Sequence, residues 1–379
     1  MSLPVLMDDL VDRIIIRFPP EEPELLVRAS LVCKRWCRLI SDPAFRRRFR
    51  KLHRAPPMLG VFCTRHSVSS FVPTSSVPLP HAMRSNWRAI DSRHGRVLLR
   101  SLPWGHDFLV LSAGNLLVWD PITDEQCPLP KLPDQLFSRV PCTWTAAVLC
   151  AAADGVCDHI DCHSGGSFLV VFMCTAAREA FTCVYSSETG AWSEPTSAKL
   201  RHAEVCLSPS VLVGNTLYFI SDHCGRSLKI LEHDVETQET SLIRLPRTNY
   251  RQIALVKMVD GRLGFSGVHE SKLYLWSREA GSEKYAGWAQ SQVIDLETLL
   301  RPLGTLMDSL DVICFVDGVA AIFSGTDEVF AIDLKSGRIT KIGELMGINN
   351  IVPYMSFYTP GTPLLSFVLA NIYDKYPSK

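Results

Sequence analysis

Apolar positions along this chain keep two different rhythms, and the change falls near Pro56-Pro57. Before it, Leu10, Ile14 and Phe18 return every four residues, with Leu6 one step earlier, until Pro19-Pro20 ends the run. That spacing predicts an amphipathic helix with Asp8 and Asp9 at its positive end. Pro23 suits the first turn of a second helix, where a missing N–H is no loss, with Leu25, Leu26, Ala29, Val32 and Cys33 as its apolar face. Lys34 to Ile40 continues with Trp36, Leu39 and Ile40 on one side. Asp42 is placed to cap a last helix beginning at Pro43, on which Phe45, Phe49 and Leu52 share a face. Short helices spanning about 50 residues bury too little apolar surface to be robust alone, so part of this face is expected to belong to a partner.

After Pro56 the helical spacing gives way to short apolar runs parted by turn residues, the pattern of many strands. Four hairpin tips are predicted at Asp120-Pro121-Ile122-Thr123, Ser186-Ser187-Glu188-Thr189, Asp234-Val235-Glu236-Thr237 and Asp333-Leu334-Lys335-Ser336. In each, an Asp or Ser followed three residues on by Thr or Ser can bond the turn backbone. The tips start 66, 48 and 99 residues apart, and Ser277, next to Leu273 to Trp276, divides the longest gap into 43 and 56. A second series of strands is introduced by Gly95, Gly214-Asn215, Asp260-Gly261 and Asp317-Gly318: Val97 to Leu99, Thr216 to Ile220, Leu263 to Phe265 and Val319 to Phe323. Two phased series in a repeat of about 50 residues fit propeller blades of about four strands. About 320 residues divided by that unit predicts six blades, with five to seven open. Leu59 to Phe62 and Ile351 to Phe357 are expected to complete one blade from both ends of the chain, a closure that leaves no bare edge. The expected fold class is therefore α+β and multidomain: a helical module over 1–55, an all-β propeller over 56–371 and a tail over 372–379.

Charge narrows the function classes. Lys plus Arg and Asp plus Glu are both 39, so the net charge is zero and no whole-protein field attracts nucleic acid or an anionic membrane. The basic run Arg46-Arg47-Arg48-Phe49-Arg50-Lys51 reads as a solvated helix face in a neutral chain. Asp8, Asp9, Asp12 and Arg13 interrupt the early apolar residues, against a signal peptide, and no run approaches the roughly 18 apolar residues of a membrane helix. An intracellular protein, in cytoplasm or nucleus, is expected, with its 13 cysteines as free thiols.

Candidate chemistry is sparse. Cys157-Asp158-His159-Ile160-Asp161-Cys162-His163 offers four soft or borderline ligands in seven residues. Its two cysteines lack a second pair at structural-zinc spacing, so a surface loop ordered by its aspartates is the expectation, with no metal and no cofactor. The nearest approach to a nucleophile elbow, Gly264-Phe265-Ser266-Gly267, has the wrong spacing. No phosphate loop, metalloprotease His-Glu pair or dinucleotide fingerprint is present. A propeller enzyme with scattered loop residues and a nucleic-acid binder remain the other classes to weigh.

Leu31-Val32-Cys33-Lys34-Arg35-Trp36-Cys37-Arg38-Leu39-Ile40-Ser41-Asp42-Pro43 resembles the second half of an F-box. In the register that aligns the first helix, Leu6-Met7 takes the place of the usual opening Leu-Pro, and Leu3-Pro4 lies upstream. Pro56-Pro57-Met58-Leu59-Gly60, the strand Val118-Trp119-Asp120-Pro121 and Tyr354-Met355-Ser356-Phe357-Tyr358 look like the kelch-like, F-box-associated propeller domain of a large plant class. The resemblance implies a non-catalytic substrate adaptor of an SCF-type ubiquitin ligase. Its helical module would bind a Skp-type adaptor, and through it cullin and RING subunits. The propeller would select an unknown protein substrate for ubiquitination. The residues expected to meet the adaptor are Leu6, Leu10, Ile14, Leu31, Val32, Trp36, Leu39 and Ile40, with Lys34 and Arg35 as a polar rim.

Overall fold

The computed structural model describes residues 8–65, 68–74, 83–101, 114–137, 142–152, 157, 159, 162, 165–176, 178–200, 203–222, 228–279, 287–301, 310–316, 320–324, 328–334, 337–344 and 348–359. Four helices open it: α1 (Asp8–Ile15), α2 (Pro23–Val32), α3 (Lys34–Ser41) and α4 (Pro43–His53). Pro23 does take the first turn of α2, and the Asp42 carboxylate accepts from the Ala44 N–H at 3.0 Å as the cap of α4. Leu3-Pro4, Leu6-Met7, Asp317-Gly318 and the tail over 372–379 lie outside the described residues.

The remaining chain forms six antiparallel sheets among the described residues, built mostly from strands consecutive in sequence. The first joins both ends of the strand region: β1 (Met58–Arg65), β2 (Val68–Pro73) and β3 (Met83–Ser85) are completed by the last strand, Ile348–Met355. The second holds β4 (Trp87–Arg93), β5 (Arg96–Ser101), β6 (Leu116–Trp119) and β7 (Gln126–Pro128). The third holds β8 (Thr143–Cys150), β9 (Phe168–Ala176) and β10 (Glu179–Ser186), with β11 (Ala191–Trp192) and β12 (Thr196–Lys199) both paired to β10. The fourth runs β13 (Val211–Val213), β14 (Thr216–Ser221), β15 (Lys229–Asp234) and β16 (Thr240–Arg244). The fifth runs β17 (Ile253–Lys257), β18 (Leu263–His269), β19 (Lys272–Arg278) and β20 (Trp288–Asp295), followed by the short helix α5 (Leu296–Leu300). The sixth runs β21 (Asp311–Val316), β22 (Ala320–Ser324), β23 (Glu328–Asp333) and β24 (Ile339–Glu344), and the last strand is then β25.

Six apolar clusters sit one between each neighbouring pair of sheets. Phe62 and Tyr354 meet Leu99 and Trp119 between the first and second, and Leu98 meets Phe172 between the second and third. Leu217 and Phe219 of the fourth sheet meet Val171 of the third, and Tyr218 and Ile230 meet Phe265 of the fifth. Leu273 and Leu275 of the fifth meet Val312 of the sixth, and Val329 of the sixth meets Val61 of the first. Every sheet is thus buried on both faces, and the ring closes: a β-propeller, within the expected range of five to seven blades. Two-sided burial explains why inner strands are almost continuously apolar, as in β9, whereas the outermost β20 is largely exposed.

The closure pairs Phe62 with Val352 and Cys63 with Ile351, as expected from the sequence. The tips at Asp120, Ser186 and Asp234 also fall where predicted, while Lys335 and Ser336 of the fourth lie outside the described residues. Asp120 Oδ1 accepts from the Ile122 and Thr123 N–H groups at 2.8 and 3.3 Å, and Asp234 Oδ1 accepts from those of Glu236 and Thr237 at 2.9 and 2.8 Å. Ser277 is a correction: it lies inside β19, buried, because that strand runs on to Arg278. The inner turns carry Gly95, Gly214 and Gly261 at positive φ, where a side chain would clash with its own backbone.

Candidate protein-docking surface

In the helical module the core stripe of α1 is Val11 and Ile15, which pack with Leu26, Ala29, Ile40, Phe45 and Phe49. The stripe chosen from sequence, Leu10 and Ile14, lies one residue over and faces solvent at 48 % and 54 % exposure. Both stripes repeat at four-residue spacing, so periodicity alone cannot say which is inward. On α2 the buried residues are Pro23, Leu26, Val27, Ala29 and Ser30. Val32 departs from the expected face and is 63 % exposed, with Leu31 at 40 %. The cause is local: Cys33 takes an extended conformation that breaks the helix between Val32 and Lys34, turning the end of α2 outward.

Ile40, expected as a contact, is completely buried in the module's own core and has no surface to offer a partner. Trp36 and Leu39 pack against that core while keeping part of their surface, and Lys34 and Arg35 are exposed beside them. Leu52 was expected inward with Phe45 and Phe49 but is exposed, since α4 is in its last turn there. The basic run is not uniformly solvated either, because Arg50 is buried. Arg48 clasps Asp12 of α1 through two hydrogen bonds of 2.8 and 2.7 Å, and that bond chiefly raises the Arg48 pKa. Asp12 therefore does more than interrupt an apolar run: it ties α1 to α4.

The module also touches the propeller. Phe357, just past β25, joins the helical core and meets Phe49 edge to face at 6.3 Å, while Val27 of α2 joins the Phe62–Trp119–Tyr354 cluster. The side of the module turned to the propeller is thus covered, and Leu10, Ile14, Leu31 and Val32 stand clear of it.

Inside the ring, a polar relay ties inner strands together. Asp91 of β4 accepts from Arg93 Nη1 at 2.7 Å and from the Val148 N–H of β8 at 2.9 Å, and Arg93 reaches on to Ser210 ahead of β13. Burial raises the Asp91 pKa against the opposing pull of Arg93. In the fourth sheet, burial lowers His233 to about 4 while its Nδ1 pairs with Thr240 Oγ1 at 2.9 Å. Ser266, at the centre of the near-elbow motif, is a fully buried residue of β18.

The loop singled out for its ligands joins β8 to β9. Cys157, His159 and Cys162 converge there on Cys150, the last residue of β8, while Asp158, Ile160, Asp161 and His163 lie outside the described residues. Cys150 was missed because it stands seven residues before the motif, at the end of a strand. The available signal was the length of the second repeat.

Four helices carrying a half-exposed apolar face, joined to a closed ring of antiparallel sheets, define an F-box protein with a C-terminal β-propeller. An F-box-like family model matches residues 12–51, and the family model described as "F-box protein AT5G49610-like, beta-propeller" matches residues 88–361. The chain belongs to this family of F-box propeller proteins. No curated protein matches it. Among solved structures, virginiamycin B lyase from Staphylococcus aureus aligns at 11% identity and TM-score 0.34, covering 68% of this chain and 69% of that one. The WD40 domain of SCAP from fission yeast aligns at 12% identity and TM-score 0.36, covering 69% of this chain and 52% of that one. No helix among the described residues is long and apolar enough to cross a membrane.

Proposed function

We propose that this chain is the substrate-recognition subunit of an SCF-type ubiquitin ligase, with α1 to α3 binding a Skp-type adaptor and the propeller binding a target protein. The observation that carries the reading is the set of large apolar side chains left exposed in an F-box module: Leu10, Ile14, Leu31 and Val32. Exposed leucine and valine in so small a module favour burial against a partner, and the half-buried Trp36 and Leu39 with the exposed Lys34 and Arg35 complete the proposed contact set. Leu6 belongs to the same proposal.

The propeller's part is to hold a substrate near a ubiquitin donor. Rate enhancement then comes from raised effective concentration, with no bond made by this chain's own side chains. The module is proposed to end near residue 55 and the propeller to extend over 56–371. The test is co-purification of the full chain with a Skp-type adaptor. Leu31→Asp combined with Val32→Asp should abolish capture while leaving thermal unfolding of the propeller in place, and capture at the original level would overturn the reading. Affinity purification with and without proteasome inhibition would then identify the target.

A further inference from the structure

The connection between β8 and β9 differs from its counterparts. In the second and fourth sheets the same inner turn needs two residues, His94-Gly95 and Gly214-Asn215, whereas here the chain leaves β8 at Cys150 and enters β9 at Phe168. The excursion returns to its own starting point. One ligand atom from each of Cys150, Cys157, His159 and Cys162 lies within 4.8 Å of all the others, and Cys162 Sγ stands 3.8 Å from His159 Nδ1. None of the three cysteines is in a disulfide. A tetrahedral zinc with Zn–S near 2.3 Å and Zn–N near 2.0 Å sets its ligand atoms about 3.5–3.8 Å apart, so little contraction closes the set.

The surroundings are built for this arrangement. His94, in the β4–β5 turn, stacks on His159 with ring centroids 4.1 Å apart and planes within 23°, which fixes the imidazole. Arg96 Nη2 donates to the carbonyls of Cys162 and Gly166, both at 2.5 Å, and the guanidinium lies 5.1 Å over the Phe168 ring. A Cβ on Gly166 would strike the Cys162 carbonyl, so the return path is as tight as backbone allows. Arg96 is 5% exposed, and its Nη1 has no hydrogen-bond partner among the described residues. Its electrostatic neighbours include the sulfurs of Cys162 and Cys150, along with Asp120 and Glu125. A zinc ion with three thiolates and a neutral imidazole carries one net negative charge, which complements a buried guanidinium better than three neutral thiols do.

We propose that Cys150, Cys157, His159 and Cys162 form a structural zinc site that pins the long inner loop of the third sheet onto the β4–β5 turn of the second. Four protein ligands leave no open position, so the site is structural in kind. Tyr354 Oη donates to the Gly95 carbonyl at 3.2 Å, which sets the pinned turn against the last strand, close to where Phe357 joins the helical module. Zinc here would stiffen the end of the ring from which the module hangs.

The test uses the full chain, purified under reducing conditions without chelator and reconstituted with zinc. Elemental analysis should find about one zinc per chain, and cobalt in its place should show tetrahedral d–d bands with a thiolate charge-transfer band. Cys157→Ser and His159→Ala, at positions not fully buried, should each lower retained zinc at least about tenfold, while Cys183→Ser, a buried thiol elsewhere in the third sheet, should leave it unchanged. Less than about a tenth of an equivalent after reconstitution, or full retention in Cys157→Ser, would overturn the site. So would a disulfide between two of the three cysteines that persists in the protein purified under reducing conditions. If Cys157→Ser proves unfolded, protection of the three thiols from alkylation by zinc, reversed by chelator, decides on the unmutated chain. None of these readouts depends on adaptor binding.

Discussion

The helical module and the propeller treat the same kinds of side chain in opposite ways. Within the four helices, Leu10, Ile14, Leu31, Val32 and Leu52 are each at least 40 % exposed; in the several times longer propeller only Val259 and Val293 are so among the described large hydrophobic residues. A ring of two-faced sheets can sandwich nearly every apolar residue between neighbours, because each sheet supplies a wall for the next. Four short helices have one small interior, filled by Val11, Ile15, Leu26, Ile40, Phe45 and Phe49, and further apolar residues have nowhere inside to go. The propeller's greasy residues therefore report on stability, and the module's surplus reports on association.

Substitutions can break that contrast. The largest effect is expected from Trp119→Ala, which empties the junction where Trp119 meets Phe62 edge to face at 5.8 Å. It should cost about 3–5 kcal/mol in denaturant unfolding of the propeller. Leu31→Asp with Val32→Asp should do the reverse, leaving that midpoint within error while weakening adaptor binding by about 2 kcal/mol or more, roughly thirtyfold in Kd. If both substitutions destabilise the fold equally, the two regions do not differ as described.

Acid sharpens the comparison on the propeller side. Above about pH 6.5 His233 is neutral in both folded and unfolded chains and contributes no pH dependence. Below it the unfolded chain binds a proton that the buried ring, with its pKa near 4, refuses. Stability should therefore fall as pH drops from about 6.5 to about 4, by roughly 1.4 kcal/mol per unit and about 2 kcal/mol by pH 5. His233→Gln should remove this contribution and leave that of His94, whose pKa burial lowers to about 3, seen as a smaller shift of the urea midpoint between pH 7 and pH 5. The smallest effect belongs to Asp42→Ala, which deletes the cap of α4 and should cost the helical module about 1 kcal/mol by hydrogen exchange in α4.

Much of the architecture was legible because local chemistry dictates it. Pro23 and Asp42 start helices whatever surrounds them, and the Asp120 and Asp234 carboxylates bond their own turns, so the tips and the repeat could be read without tertiary knowledge. The pairing of Leu59 to Phe62 with the final strand followed from the need to hide an edge. Ser277 failed as a tip for the converse reason: a serine bonds a turn only when the chain actually turns, and β19 carries on through it.

By itself the sequence determined the helical opening, the meander repeat, the closure from both ends and the F-box resemblance, since these rest on spacing and turn chemistry within a few residues. Only the tertiary structure decided which of two equally spaced stripes on α1 faces inward, because Val11 rather than Leu10 meets Phe45 and Phe49 across chain distances no periodicity encodes. It also decided that Ile40 is core and that Cys150 stands with Cys157, His159 and Cys162. Burial and ligand convergence are properties of what lies across a gap, and that neighbour is fixed by the closed ring, not by the residues on either side in sequence.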